Sequence, residues 1–131
     1  MILDTSVLVA AERGDLDIGA RFLGLASEPF GIAAITASEL LHGLERGRDG
    51  RQRARRAAFI DWVLGSVRVH PFGLEEARVH ARIWATLAAS GATIGAHDLL
   101  IAATAIARAD RLVTRDVRGF GRVPGLAWER W

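Results

Sequence analysis

Met1-Ile2-Leu3-Asp4-Thr5-Ser6-Val7-Leu8 places an acid and two hydroxyl residues between two short apolar runs. The leading apolar residues read as a short strand buried on both faces, which is the signature of a covered parallel sheet. Asp4-Thr5-Ser6 supplies N-cap chemistry, so a helix is expected from about Ser6 to Glu12. A strand that hands over at once to a helix leaves no room for a hairpin, and its next strand must pair in parallel through a crossover.

The rest of the chain repeats this alternation. Gly14-Asp15 breaks the first helix, and a second is expected over residues 18–26. Pro29 to Ala33 reads as a turn and a second strand, and Thr36 begins a helix to about Leu44. From Arg51 the apolar positions Ala57, Ile60, Leu64 and Val67 fall at helical spacing. Val67 to Val69 is a third strand, stopped by Pro71. Glu75 to Ala89 is a helix with a stripe of Ala77, Ala81, Trp84 and Ala88. Asp98 to Ala109 is apolar nearly all round and so should be a buried helix. Arg111 to Thr114 is a strand, Val117 to Phe120 a short helix or turn, and Leu126 to Trp128 a closing edge strand. The expected fold is α/β: a central, mainly parallel sheet flanked by helices in three α/β/α layers. Residues 1–131 suffice for a single domain and would leave two domains with too little core each.

Composition excludes several classes. The chain has no cysteine, hence no disulfide framework, thiolate zinc site or cysteine nucleophile. No apolar run is long enough to span a bilayer, and the N-terminus lacks a signal-peptide pattern, so a cytoplasmic protein is expected. All 17 basic residues are arginine, and the net charge is only +2. With no lysine, tyrosine or cysteine to titrate below arginine, that small excess suffices to place the isoelectric point near 10.8. Distribution is more informative than the total. Arg46, Arg48, Arg51, Arg53, Arg55 and Arg56 crowd one stretch, either as a solvated helix face or as a patch whose guanidinium forks follow phosphates.

In an open parallel sheet, ligands bind beyond the carboxyl ends of the strands. Asp4 ends the first strand there, and Asp116 follows the strand that ends at Thr114. Glu39 lies in the first turn of the helix after the second strand, and Asp98 opens the buried helix. Each acid has a plain structural role available: Asp4 and Asp98 as helix caps, Thr36-x-x-Glu39 as a capping box, Asp116 as a turn former. Four caps need not all be acidic, however, since serine, threonine or asparagine serves as well. Two carboxylates about 4 Å apart repel by roughly 4 kcal/mol at an effective dielectric near 20. Such a cluster calls for protonation or a cation. Oxygen ligands without cysteine favour Mg²⁺ or Mn²⁺ over zinc. Acids and arginines without a convincing nucleophile point to metal-assisted phosphodiester hydrolysis.

These residues also resemble a known family. Met1 to Leu8 is similar to the opening of a PIN domain, above all that of the toxins of bacterial VapBC toxin–antitoxin pairs. Ile35-Thr36-Ala37-Ser38-Glu39-Leu40-Leu41-His42-Gly43 resembles the helix bearing the second acid. Ile94-Gly95-Ala96-His97-Asp98-Leu99-Leu100-Ile101-Ala102-Ala103, within Gly91 to Ala105, resembles the segment bearing the third. Leu112-Val113-Thr114-Arg115-Asp116, with Phe120 and Val123-Pro124-Gly125-Leu126, resembles the closing signature. The resemblance spans nearly the whole chain, with nothing to transfer over residues 45–70. It implies that Asp4, Glu39, Asp98 and Asp116 hold Mg²⁺ or Mn²⁺, with Thr114 as a supporting hydroxyl. Many relatives carry asparagine at the position of Asp116. It further implies an endoribonuclease acting on RNA, a cognate VapB-type antitoxin, a homodimer and a hetero-oligomer with that antitoxin.

Other patterns carry less. Glu39-x-x-His42 has di-iron spacing, but such sites draw on several helices and this chain offers one. His70, His80 and His97 show no ligand spacing, and His97 is read as a surface or supporting histidine beside Asp98. Trp62 and Trp84 are expected in the core, and Trp128 and Trp131 against the edge strand or a partner. Gly119-Phe120-Gly121 forms no phosphate loop. A phosphatase with an aspartate nucleophile would want a second acid where Ser6 stands. A non-catalytic RNA-binding or partner-binding domain remains open, and loss of metal and of Asp98 would leave its binding intact.

Overall fold

The computed structural model describes residues 1–47 and 50–131; Arg48 and Asp49, within the arginine-rich stretch, lie outside the described residues. Five strands, β1 (Ile2–Leu3), β2 (Gly31–Ala33), β3 (Arg68–His70), β4 (Leu112–Thr114) and β5 (Trp128–Arg130), form one sheet in the order β3-β2-β1-β4-β5. Every pairing is parallel. The helices are α1 (Thr5–Glu12), α2 (Ile18–Gly24), α3 (Ala34–Glu45), α4 (Gly50–Ser66), α5 (Leu74–Ala89), α6 (Ala96–Ala107) and α7 (Val117–Phe120). The three-layer α/β/α expectation holds.

The period-2 alternation of the strands creates the two core faces. Ile2, Ala33 and Leu112 point to one side, where Val79, Ile83 and Leu87 of α5 and Ile101, Ala102 and Ala105 of α6 cover them. Leu3, Ile32 and Val113 point to the other, against Val7 and Leu8 of α1, Leu40 of α3 and Ile60 and Val63 of α4. The inner strands β1, β2 and β4 need only two or three residues because both of their faces are buried, at about 25 cal/mol per Å² of apolar surface removed from water, whereas β3 and β5 at the edges are largely exposed.

The structure corrects several sequence expectations. Helix α3 begins at Ala34 rather than Thr36. Thr36 is therefore inside the helix and fully buried, and it cannot start a capping box with Glu39. Strand β3 starts at Arg68, since the Val67 amide still bonds Val63 of the preceding helix. Strand β5 starts at Trp128 because the chain is still turning at Gly125, where φ is +77°. The buried stripe of α5 is Val79, Ile83 and Leu87, not the alanine stripe with Trp84. Branched side chains bury more apolar area than alanines, so their face wins the core. Trp84 is accordingly 61% exposed and Trp62, expected in the core, is 42% exposed.

Candidate active site

The sheet order reverses direction between β1 and β4, and a crevice at such a switch point is where open α/β sheets bind ligands. Leu3 pairs with Val113, and the Asp4 amide donates to the Val113 carbonyl at 2.9 Å. The next residues in register, Asp4 and Thr114, thus meet at the mouth of the crevice. The Thr114 hydroxyl donates to Asp4 Oδ2 at 2.8 Å, and the Ser6 hydroxyl donates to the same oxygen at 2.5 Å. Ser6 Oγ in turn accepts the Arg115 amide at 3.0 Å, and Thr114 Oγ1 accepts the Asp116 amide at 2.9 Å. Asp4 stands at the N-cap position of α1 but makes no side-chain cap bond. It is 3% exposed, and its burial raises its pKa while the two hydroxyls pull the other way.

Glu39 reaches the same crevice from the second turn of α3. The Thr5 hydroxyl donates to its Oε2, and His97 Nδ1 lies 2.8 Å from its Oε1. Asp98 sits in the first turn of α6 behind Gly95, which occupies the N-cap position, so Asp98 is not the cap. It accepts no hydrogen bond from any described residue. Its pKa is pushed up to about 6, first by burial and then by the negative charge of Asp4, Asp116 and Glu39, with His97 opposing. Asp98 therefore lies within reach of the charge of all three other acids. Asp116, expected as a turn former, caps α7: its Oδ1 accepts the Arg118 and Gly119 amides, each at 3.1 Å. Both bonds use Oδ1, and no described residue donates to Oδ2.

All four acids and Thr114 are therefore brought to one crevice from four separate segments. Among the described residues, no three His, Cys, Asp or Glu side chains stand close enough to ligate one ion as they are placed. Ser6 and Thr5 take part in a way that sequence reasoning missed. In sequence both look like capping residues, and the available signal is a pair of hydroxyls directly after a strand-ending acid. Glu39-x-x-His42 contributes only Glu39; His42 is exposed.

A short-stranded parallel sheet with carboxylates gathered at its switch point defines a class of acid-site α/β proteins. The PIN domain model matches residues 1–126, and the chain belongs to the PIN-domain family. It is 38% identical over 126 residues to ribonuclease VapC1 of Rickettsia felis, covering 96% of this chain and 92% of that protein. It is 31% identical over 100 residues to the tRNA(fMet)-specific endonuclease VapC of Salmonella typhimurium, covering 76% of this chain and 74% of that protein. Its fold superimposes on DNA-bound VapBC from Salmonella typhimurium with a TM-score of 0.90 and 29% identity, covering 99% and 96% of the two chains.

Proposed function

We propose that the chain is a divalent-metal-dependent endoribonuclease and the toxin of a VapBC-type toxin–antitoxin pair, with Asp4, Glu39, Asp98 and Asp116 holding Mg²⁺ or Mn²⁺. The observation that carries this is the crevice itself: hydrogen bonds hold Asp4, Glu39 and Asp116 there, and Asp98, with no donor among the described residues, opens α6 directly after His97, which contacts Glu39. Such charge density favours a cation, and an all-oxygen donor set suits Mg²⁺ or Mn²⁺. A divalent ion bound there supplies acidification of a water and neutralisation of charge developing on the phosphodiester. The protein's own groups set up that chemistry. Ser6 and Thr114 hold Asp4, Thr5 and His97 hold Glu39, and the start of α7 holds Asp116 by one oxygen, leaving the other for the ion. Thr114 also joins Asp4 to the Asp116 backbone, so it is a positioning residue.

The names of the relatives support RNA as the substrate and a VapB-type antitoxin as the partner, and a family match over residues 1–126 fits residues 1–131 acting as one domain. No helix among the described residues is long and apolar enough to cross a membrane. A cytoplasmic homodimer that also assembles with its antitoxin fits this reading. Cleavage of total RNA by antitoxin-free protein tests it, with Mg²⁺ or Mn²⁺ against EDTA and Asp4→Asn controls. Discrete fragments that vanish in both controls are expected; fragments that persist in either would sink the metal assignment.

A second reading, a non-catalytic RNA-binding or partner-binding domain on this scaffold, is favoured by one observation: the acids do not converge as a finished ligand set. It predicts RNA retention with no turnover under any metal.

A further inference from the structure

Helices α1 and α3 leave the acidic crevice together. Thr5 at the start of α1 bonds Glu39 in the second turn of α3; at their far ends Arg56 of α4 donates Nε to Glu12 at 2.6 Å and Nη1 to the Gly43 carbonyl at 3.2 Å. The eight residues of α1 span about 10 Å at 1.5 Å per residue. At that far end opens a groove of about 660 Å³, whose lining includes Glu12, Arg13, Arg51, Arg55, Arg56 and Phe59.

The arginine-rich stretch divides in two here. Arg53 is spent on the Leu44 carbonyl at 2.6 Å and on Glu45, and Arg56 is neutralised by Glu12. Arg13, which lies outside that stretch in sequence, joins Arg51 and Arg55 at the groove. Arg13 and Arg55 are exposed and form no ion pair with any described acid. Glu12, the single acid among the described lining residues, is already paired, so the Arg13 and Arg55 guanidinium forks keep their charge for the paired oxygens of phosphates. Half-buried Phe59 in the lining offers an apolar face of the kind on which bases stack. A stacked strand advances about 3.4 Å per nucleotide, so the length of α1 corresponds to about three nucleotides.

We propose that this groove is a phosphate-binding subsite for the RNA strand, about three nucleotides from the acidic crevice. The proposal rests on the ribonuclease reading above and deepens it, assigning where the substrate backbone is gripped outside the cutting centre.

The test measures fluorescence anisotropy of labelled, unstructured RNA oligonucleotides binding the full-length Asp98→Asn chain in EDTA. One oligonucleotide has about twelve nucleotides, enough to span crevice and groove, and one about four. Adding Arg13→Ala with Arg55→Ala should lower affinity for the longer RNA about tenfold at low salt. It should also flatten the dependence of log affinity on log salt by about 1.4, about 0.7 per lost contact. The four-nucleotide RNA should bind both chains equally, and the Arg13→Lys with Arg55→Lys pair should keep most of the salt dependence. Equal affinity and equal salt slope on the longer RNA would overturn the proposal while leaving the ribonuclease reading intact. Unchanged RNA binding with lost binding of poly-glutamate would also overturn it, assigning the groove to an acidic protein partner. If the Asp98→Asn chain bound neither RNA, the ribonuclease reading itself would fail, and the subsite with it.

Discussion

Thr114 and Asp4, 110 positions apart in sequence, are joined by a buried hydrogen bond of 2.8 Å across the β1–β4 junction. The same hydroxyl accepts the Asp116 amide, so one side chain ties two of the four acids to the sheet edge. Thr114→Val keeps the shape and removes both bonds, leaving the buried Asp4 carboxylate one donor short and the part-buried Asp116 amide unpaired. A loss of about 1–3 kcal/mol in urea unfolding is expected, together with weaker Mn²⁺ affinity. Thr114→Ser should restore most of both. Equal Mn²⁺ affinity in the valine and wild-type proteins would remove Thr114 from the site.

Asp98 links the site to stability. Its folded pKa of about 6 lies above the ordinary value of 3.8. Between those two values the folded state binds more proton than the unfolded chain, so without metal stability falls as pH rises toward 6 and the penalty is complete above it. Because the group is about half exposed, screening by water holds the effect to on the order of 1 kcal/mol. Asp98→Asn should therefore stabilise the EDTA-treated protein at pH 7.5 by about that amount, abolish cleavage, and flatten the pH dependence of unfolding between about pH 4 and 6. An Asp98→Asn variant less stable than wild type at about pH 7.5 would show that the four acids do not repel as described.

Arg56 and Arg55 are sequence neighbours with different fates. Arg56 bridges Glu12 and the Gly43 carbonyl from a half-buried position, whereas Arg55 is exposed. Arg56→Ala should cost about 1–2 kcal/mol in chemical denaturation by releasing α4 from α1 and α3, and Arg55→Ala should stay within about 0.5 kcal/mol of wild type. Comparable losses for the two would mean that the division of the arginine stretch is wrong.

How much of this was readable beforehand follows from which signals are local. Strands such as Ile2–Leu3 and the apolar helix Ala96–Ala107 announce themselves by composition, and parallel pairing follows from their alternation. The acids were legible because each sits directly after a strand or in the opening turns of a helix, which fixes its end of the sheet. What was hidden is long-range. Thr5 and Ser6 look like caps until Glu39 and Arg115 arrive beside them. Arg13 could not be grouped with Arg51 and Arg55 before α1 and α4 were packed together. The buried face of α5 is not decided by periodicity, because Ala77, Ala81 and Trp84 share the helical spacing of Val79, Ile83 and Leu87. Only side-chain size, not period, distinguishes the two stripes.

Gly31 and His70 provide a packing test away from the acids. A Cβ on Gly31 would overlap His70 Nε2, so β2 and β3 approach there only because Gly31 has no side chain. His70 is 7% exposed, and its Nδ1 has no hydrogen-bond partner among the described residues. Burial first, then the charges of Arg108 and Arg68 against the opposing Asp110, lower its pKa below 6.5. The unfolded chain therefore takes up a proton first on acidification, and His70 withdraws stability as pH falls below about 6.5. Gly31→Ala alone should cost about 1–3 kcal/mol through overpacking. In a His70→Ala background the imidazole overlap is gone and only the Arg68 carbonyl, 3.1 Å from the new methyl, stays close, so the added cost should fall by about 1 kcal/mol or more, a coupling of the size expected for residues in contact. Thermal or urea unfolding of the four proteins in the cycle measures this directly. Additive losses would mean that Gly31 is required by its backbone rather than by the imidazole packed against it.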